Sequence, residues 1–84
     1  MPTVTVRYFG AARATAGQLQ EAVAVQAGDT VAQLVSAIEQ RHGKRMAELL
    51  QRCSFLLDEV AVTSELREVT HGSTLDVLPP FAGG

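Results

Sequence analysis

Apolar Val4, Val6 and Tyr8 alternate with Thr5 and Arg7 near the start of the chain, the two-residue period of a half-buried strand. Glu21–Val25 reads as a second short strand, and a spacing of about ten residues permits a hairpin with the first. Between them, Gly10–Gly17 is alanine-rich and too short to hold a helix independently, so it reads as a loop or a single helical turn. The period then changes. Val31, Leu34, Val35 and Ile38 follow the 3-4-7 spacing of one buried helical face, with Arg41 or His42 continuing it weakly. Thr30 caps this helix with Gln33 completing a capping box, and Gly43 stops it. Met46, Leu49 and Leu50 predict a second short helix within Lys44–Arg52.

Further on, Ser54–Leu57 and Val60–Val62 flank Asp58-Glu59 as a hairpin with a two-residue turn. Neither turn residue is glycine, which leaves its type open. Residues 63–70 are polar, with Leu66 and Val69 as anchors, and His71-Gly72-Ser73 turns the chain into a last strand, Thr74–Leu78. Pro79 and Pro80 end that strand, because neither can donate a ladder hydrogen bond and the pair favours a stiff, extended chain. The order strand, strand, helix, short helix and three strands predicts an α+β domain: a mixed sheet of about five strands with one main helix across a face. In such a sheet the first and last strands can lie side by side.

Composition narrows the function classes. Of 84 residues, 46% are hydrophobic and 19% charged, the balance of one small globular domain. A net charge of −2 without a basic block gives nucleic-acid binding little support. No apolar run reaches the roughly 20 residues that span a bilayer, and Met1–Arg7 lacks the features of a signal peptide. With Cys53 as its one cysteine, the chain is expected in a reducing, cytoplasmic setting. His42 and His71 stand apart without metal-ligand spacing, so no metal site is expected. Nor is there a phosphate loop or a nucleophile elbow, and the chain reads as something acted upon.

Its end is the exception. Gly83-Gly84 follows a strand, a double proline, Phe81 and Ala82. A terminal carboxylate without a neighbouring side chain can enter a narrow tunnel, since glycine lets backbone approach closely. The competing reading is a frayed tail.

Two stretches carry a family resemblance. Val6-Arg7-Tyr8-Phe9-Gly10-Ala11-Ala12-Arg13, followed by Gly17, resembles the opening of MoaD-type proteins, the small sulfur-carrier subunits of molybdopterin synthase. Leu78-Pro79-Pro80-Phe81-Ala82-Gly83-Gly84 is similar to their closing motif. The resemblance implies a ubiquitin-like β-grasp over residues 1–78 and an extended diglycine tail over 79–84. It departs at Gly72-Ser73-Thr74, where the family often carries an acidic turn.

The resemblance also implies a chemistry. A MoeB-type enzyme would use ATP to adenylate the Gly84 carboxylate, and a sulfurtransferase or cysteine desulfurase would supply sulfur to make a thiocarboxylate. The chain itself would bind no cofactor. A MoaE-type large subunit would hold the tail while sulfur passes to cyclic pyranopterin monophosphate. Gly83 gives clearance, Pro79 and Pro80 aim the tail, and Phe81, Leu78 and Phe9 are partner contacts. Phe55 is assigned to the core, as is Cys53, while Arg7 and Arg13 are read as solvated. Lys44 is the one lysine available for self-conjugation. Alternatives are a sulfur carrier for thiazole, thiolated tRNA or cysteine synthesis, a ubiquitin-like protein modifier, or a binding module with an inert tail.

Overall fold

Val4, Val6 and Tyr8 do share the buried face of a strand, β1 (Thr3–Tyr8), in the computed structural model, which describes residues 1–80. After it come α1 (Gly10–Ala16), β2 (Gln20–Ala24), α2 (Val31–His42), α3 (Lys44–Leu50), β3 (Ser54–Leu57), β4 (Val60–Ala61) and β5 (Thr74–Leu78). The strands form one sheet in the order β2-β1-β5-β3-β4. β1 runs antiparallel to β2 and parallel to β5, and β5 runs antiparallel to β3. The sheet is therefore mixed, with the first and last strands side by side at its centre. Parallel pairing needs a long crossover, which the helices and the β3–β4 hairpin supply.

The helices cover one face. Val31, Leu34 and Ile38 of α2 and Met46 and Leu50 of α3 are buried in the same cluster as Val4, Val6, Leu75 and Val77 of the central strands. Phe55 belongs to this core, as its place on β3 implied. The start of α2 is fully accounted for. Gln33 N–H donates to the Thr30 hydroxyl and Leu34 N–H to the Thr30 carbonyl, while the Gln33 side chain accepts from Thr30 N–H. Val31 and Ala32 N–H donate to the Arg67 and Glu65 carbonyls at 2.8 and 3.0 Å. All four donors left over at a helix N-terminus are thus satisfied.

That arrangement corrects one expectation. Leu66 is no anchor: it is 79% exposed. Segment 63–70 docks through backbone carbonyls on α2 and through Val69, which is buried. A second correction concerns Gly10–Ala16, a helix of seven residues rather than a loop or single turn. Ala12 is buried beneath it and Gly17, at φ 74°, accepts the left-handed end, so tertiary packing supplies what a short isolated helix lacks. α3 ends at Leu50, two residues before the expected Arg52, and β4 stops at Ala61, leaving Val62 outside the strand.

The β3–β4 turn has both central residues at positive φ, Asp58 at 49° and Glu59 at 69°, the signature of a type I′ hairpin made without glycine. Asp58 anchors it: its N–H donates to the Thr74 carbonyl and its carboxylate accepts from Thr74 N–H, each at 2.9 Å. The His71-Gly72-Ser73 turn is held locally by the Ser73 and Thr70 hydroxyls, 2.9 Å apart, and against β1 by Gly72 N–H donating to the Thr3 carbonyl and Thr5 N–H to the Ser73 carbonyl, each at 2.9 Å.

Candidate functional site

Because β1 and β5 run parallel, their C-terminal ends emerge at the same end of the sheet. Phe9, Gly10 and Ala11 leave β1 there, and Leu78, Pro79 and Pro80 leave β5. β3 starts beside them, with Ser54 opposite Leu78. Together these seven residues line an open, mainly apolar groove of about 520 Å³. Phe9 is 40% exposed and adds its aromatic surface to that of Leu78, Pro79 and Pro80 in one patch. Pro79 is half-buried and Pro80, the last described residue, is exposed.

One close approach joins the two ends of the sequence. Gly10 has φ +52°, and a Cβ built on it would lie 3.2 Å from Cγ of Pro79. Backbone conformation favours glycine here, and the approach of Pro79 leaves a Cβ little room. The Phe9-Gly10 step and the Pro79-Pro80 step, read from the sequence as separate motifs, are parts of one surface.

Beside the groove, on the sheet face away from the helices, Arg7 and Asp76 sit opposite each other across β1 and β5. Arg7 Nε and Nη2 donate to the two Asp76 oxygens at 2.6 and 2.8 Å. The Asp76 hydrogen bond and charge raise the Arg7 pKa further above its usual value. The guanidinium carbon lies 6.0 Å from the Phe9 ring centroid. Arg7 is therefore not a merely solvated arginine. It neutralises a carboxylate that is only 5% exposed and flanks the exposed aromatic. No sequence spacing betrays this pair, since its members are 69 residues apart.

On the helix side, Tyr8 takes part in a second cluster. Its hydroxyl donates to Glu21 Oε2, which also receives His42 Nε2, while Arg41 Nη1 donates to Glu21 Oε1 at 2.8 Å. Burial alone would push the Glu21 carboxyl up, but hydrogen bonds from His42, Tyr8 and Arg41 outweigh it and hold the group below its usual range. Burial first, and the Glu21 hydrogen bond second, push the Tyr8 hydroxyl well above its ordinary value. His42 thus does not stand alone. Neither does His71, whose Nδ1 accepts from Thr3 N–H at 3.0 Å.

Among the described residues lining the groove there is no acid, base or strong nucleophile, and Ser54 carries the one hydroxyl. Cys53 is half-buried, with Sγ 3.3 Å from the Leu49 carbonyl and its thiol pushed up by burial, the state of a structural cysteine. Among the described residues no three His, Cys, Asp or Glu side chains group to hold a metal, and no helix is long and apolar enough to cross a membrane. Of the expected site residues, the structure brings Phe9, Leu78, Pro79 and Pro80 together. Phe81, Gly83 and Gly84 lie outside the described residues.

The ThiS family model matches residues 6–84, nearly the whole chain. This chain belongs to the ThiS family. Its fold is the ubiquitin-like β-grasp shared by sulfur carriers and modifiers of this kind. A Pyrococcus furiosus protein assigned as molybdopterin converting factor subunit 1 is 25% identical, with a TM-score of 0.86 over 96% of this chain and 100% of that one. Subunit 1 in the complex of molybdopterin-converting factor subunits 1 and 2 from Helicobacter pylori is 23% identical, with a TM-score of 0.69 over 98% and 99% of the two chains. Small archaeal modifier protein 1 of Haloferax volcanii is 20% identical, with a TM-score of 0.80 over 96% and 100%. These last two likenesses carry the fold alone. No curated protein matches the sequence.

Proposed function

We propose that this ThiS-family chain is a sulfur carrier for molybdopterin synthesis, working through the carboxylate of Gly84. The observation that carries this reading is the groove at the shared end of β1 and β5: a mainly apolar surface rimmed by Phe9, whose described lining residues, ending at Pro79 and Pro80, include no acid or base. Such a site docks a partner and leaves the chemistry to the tail and to that partner. Residues 1–78 act as the body and 79–84 as the presented tail.

A carboxylate is a poor electrophile. A MoeB-type enzyme overcomes this by transferring AMP from ATP to the Gly84 carboxylate with release of pyrophosphate, which divides one hard step into two. A persulfide carried by a sulfurtransferase or cysteine desulfurase then displaces AMP to give an acyl persulfide. Attack of a second thiol on its S–S bond releases the thiocarboxylate and leaves a disulfide on the donor side. The charged tail enters a MoaE-type large subunit and its sulfur attacks cyclic pyranopterin monophosphate. Two sulfurs per dithiolene require two charged carriers. Phe9 and Leu78 meet the large subunit, with Phe81 as the tail's anchor, while Gly83 clears the tunnel. The likeness to a converting-factor subunit 1 found in complex with subunit 2 supports this choice of partner. A reducing compartment such as the cytoplasm suits a thiocarboxylate, and the lone Cys53 agrees with it.

Intact mass after incubation with the adenylating enzyme, ATP and a sulfur source tests the reading. Exchange of one oxygen for sulfur is expected, and an unchanged mass beside an active enzyme would sink it. Removing Gly84 abolishes the exchange while leaving the thermal midpoint unmoved. Pterin conversion on adding the large subunit fixes the pathway. Sulfur delivery to another acceptor, or conjugates to lysines in a lysate, would assign the carrier elsewhere.

A further inference from the structure

β2 and β4 are the two edges of the sheet. β4 has two residues and β2 has five, so β2 offers the longer row of backbone groups to an incoming strand. Which groups face outward follows from the register. Tyr8 N–H donates to the Leu19 carbonyl and Val25 N–H to the Pro2 carbonyl. Antiparallel ladders alternate, so Val6–Glu21 and Val4–Val23 are the bonded pairs between them. The N–H and C=O of Gln20, Ala22 and Ala24 therefore point away from the sheet. These three residues are exposed and uncharged, and β2 has no proline or bulge to repel a neighbour.

Among the described residues, one side chain hydrogen-bonds to this edge. Arg41, in the last turn of α2, places Nη1 3.1 Å from the Ala22 carbonyl and 2.8 Å from Glu21 Oε1. The other Glu21 oxygen is held by Tyr8 and His42, so the carboxylate cannot swing away and the guanidinium is fixed at mid-strand. We propose that Arg41 is a guard that keeps β2 from pairing with β2 of a second copy of this chain. The occupant is a second copy because the strand complements itself. Antiparallel pairing centred on Ala22 sets Ala22 against Ala22 and Gln20 against Ala24, with no like charges opposed on that side of the ladder.

Sedimentation velocity over a concentration series tests this. Arg41→Ala raises the dimer association constant by at least about tenfold over the wild-type chain. Arg41→Met keeps the aliphatic stem and gives the same result, so a folding defect in the alanine variant does not decide the matter. Adding Ala22→Pro to either variant removes an outward N–H without touching the ladder to β1, and restores the monomer. Folded Arg41 variants that associate no more than wild type overturn the proposal. So does a dimer that survives Ala22→Pro, since its interface lies elsewhere.

Discussion

Arg7 and Tyr8 are neighbours on one strand, yet they build opposite kinds of surface. Tyr8 points toward the helices, where Glu21 collects hydrogen bonds from three side chains on β1 and α2. That cluster ties the β1–β2 hairpin to the end of the main helix and buries Tyr8 and most of the Glu21 and His42 side chains. Arg7 points to the open face, where one ion pair neutralises Asp76 and the neighbouring Phe9 stays partly exposed. The first arrangement spends its polar groups on holding the fold. The second leaves an apolar surface available, which is the condition for docking a partner. Substitutions on the two sides should therefore separate stability from binding.

Glu21→Ala has the largest expected effect on stability. It removes the shared acceptor of Tyr8, His42 and Arg41, at a cost of about 2 kcal/mol for a partly buried charged hub. In a domain of this size that lowers the thermal midpoint by about 10 °C, read by circular dichroism. The pH dependence gives the same contact a second signature. The Glu21 carboxyl is held below its ordinary value of 4.5, so its contribution is complete above that pH and is lost as the pH falls further. The gap between wild type and Glu21→Ala should accordingly narrow below pH 4.5. A gap that widens there would reverse the assigned role. Affinity for the large subunit should not change.

Phe9→Ala probes the other side. Phe9 is 40% exposed, so the thermal midpoint should fall less than it does for Glu21→Ala. If the groove is the docking surface, an aromatic at its rim carries about 2 kcal/mol of the binding energy, a loss of about 30-fold in affinity. Calorimetry with a molybdopterin synthase large subunit measures it. Unchanged affinity would remove the groove from the interface while leaving the chemistry at Gly84 untouched.

The same division explains what could be read from the sequence. Periodic positions reported the sheet and α2 correctly, because Val4, Val6, Leu34 and Ile38 are buried by a pattern that lies within a few residues. Thr30 and Gln33 gave the capping box for the same reason. Both polar clusters escaped, since Arg7 meets Asp76, and His42 meets Glu21, only through strand pairing and helix packing. Leu66 misled because hydrophobicity was taken as burial, whereas its segment is held by the carbonyls of Glu65 and Arg67. The α1 helix escaped because its stability comes from Ala12 packing into the core rather than from its own propensity. Of the site, Phe9, Leu78 and the prolines were legible as motif residues, but their convergence needed the parallel pairing of β1 with β5.

Gly10→Ala is the smallest perturbation and the one that joins the two halves of the comparison. At φ +52° an alanine costs about 1 kcal/mol in backbone conformation, so the midpoint should fall by about 6 °C. Its Cβ would also lie 3.2 Å from Cγ of Pro79, and the proline must give way by a few tenths of an ångström. That shift falls at the root of the tail. Loss of affinity beyond what Gly10→Ala costs in stability would show that the floor of the groove sets the direction of the tail. A stability loss with normal affinity and normal sulfur loading would mean that the Phe9-Gly10 step serves only to close the fold, and that the tail finds its tunnel without help from the body.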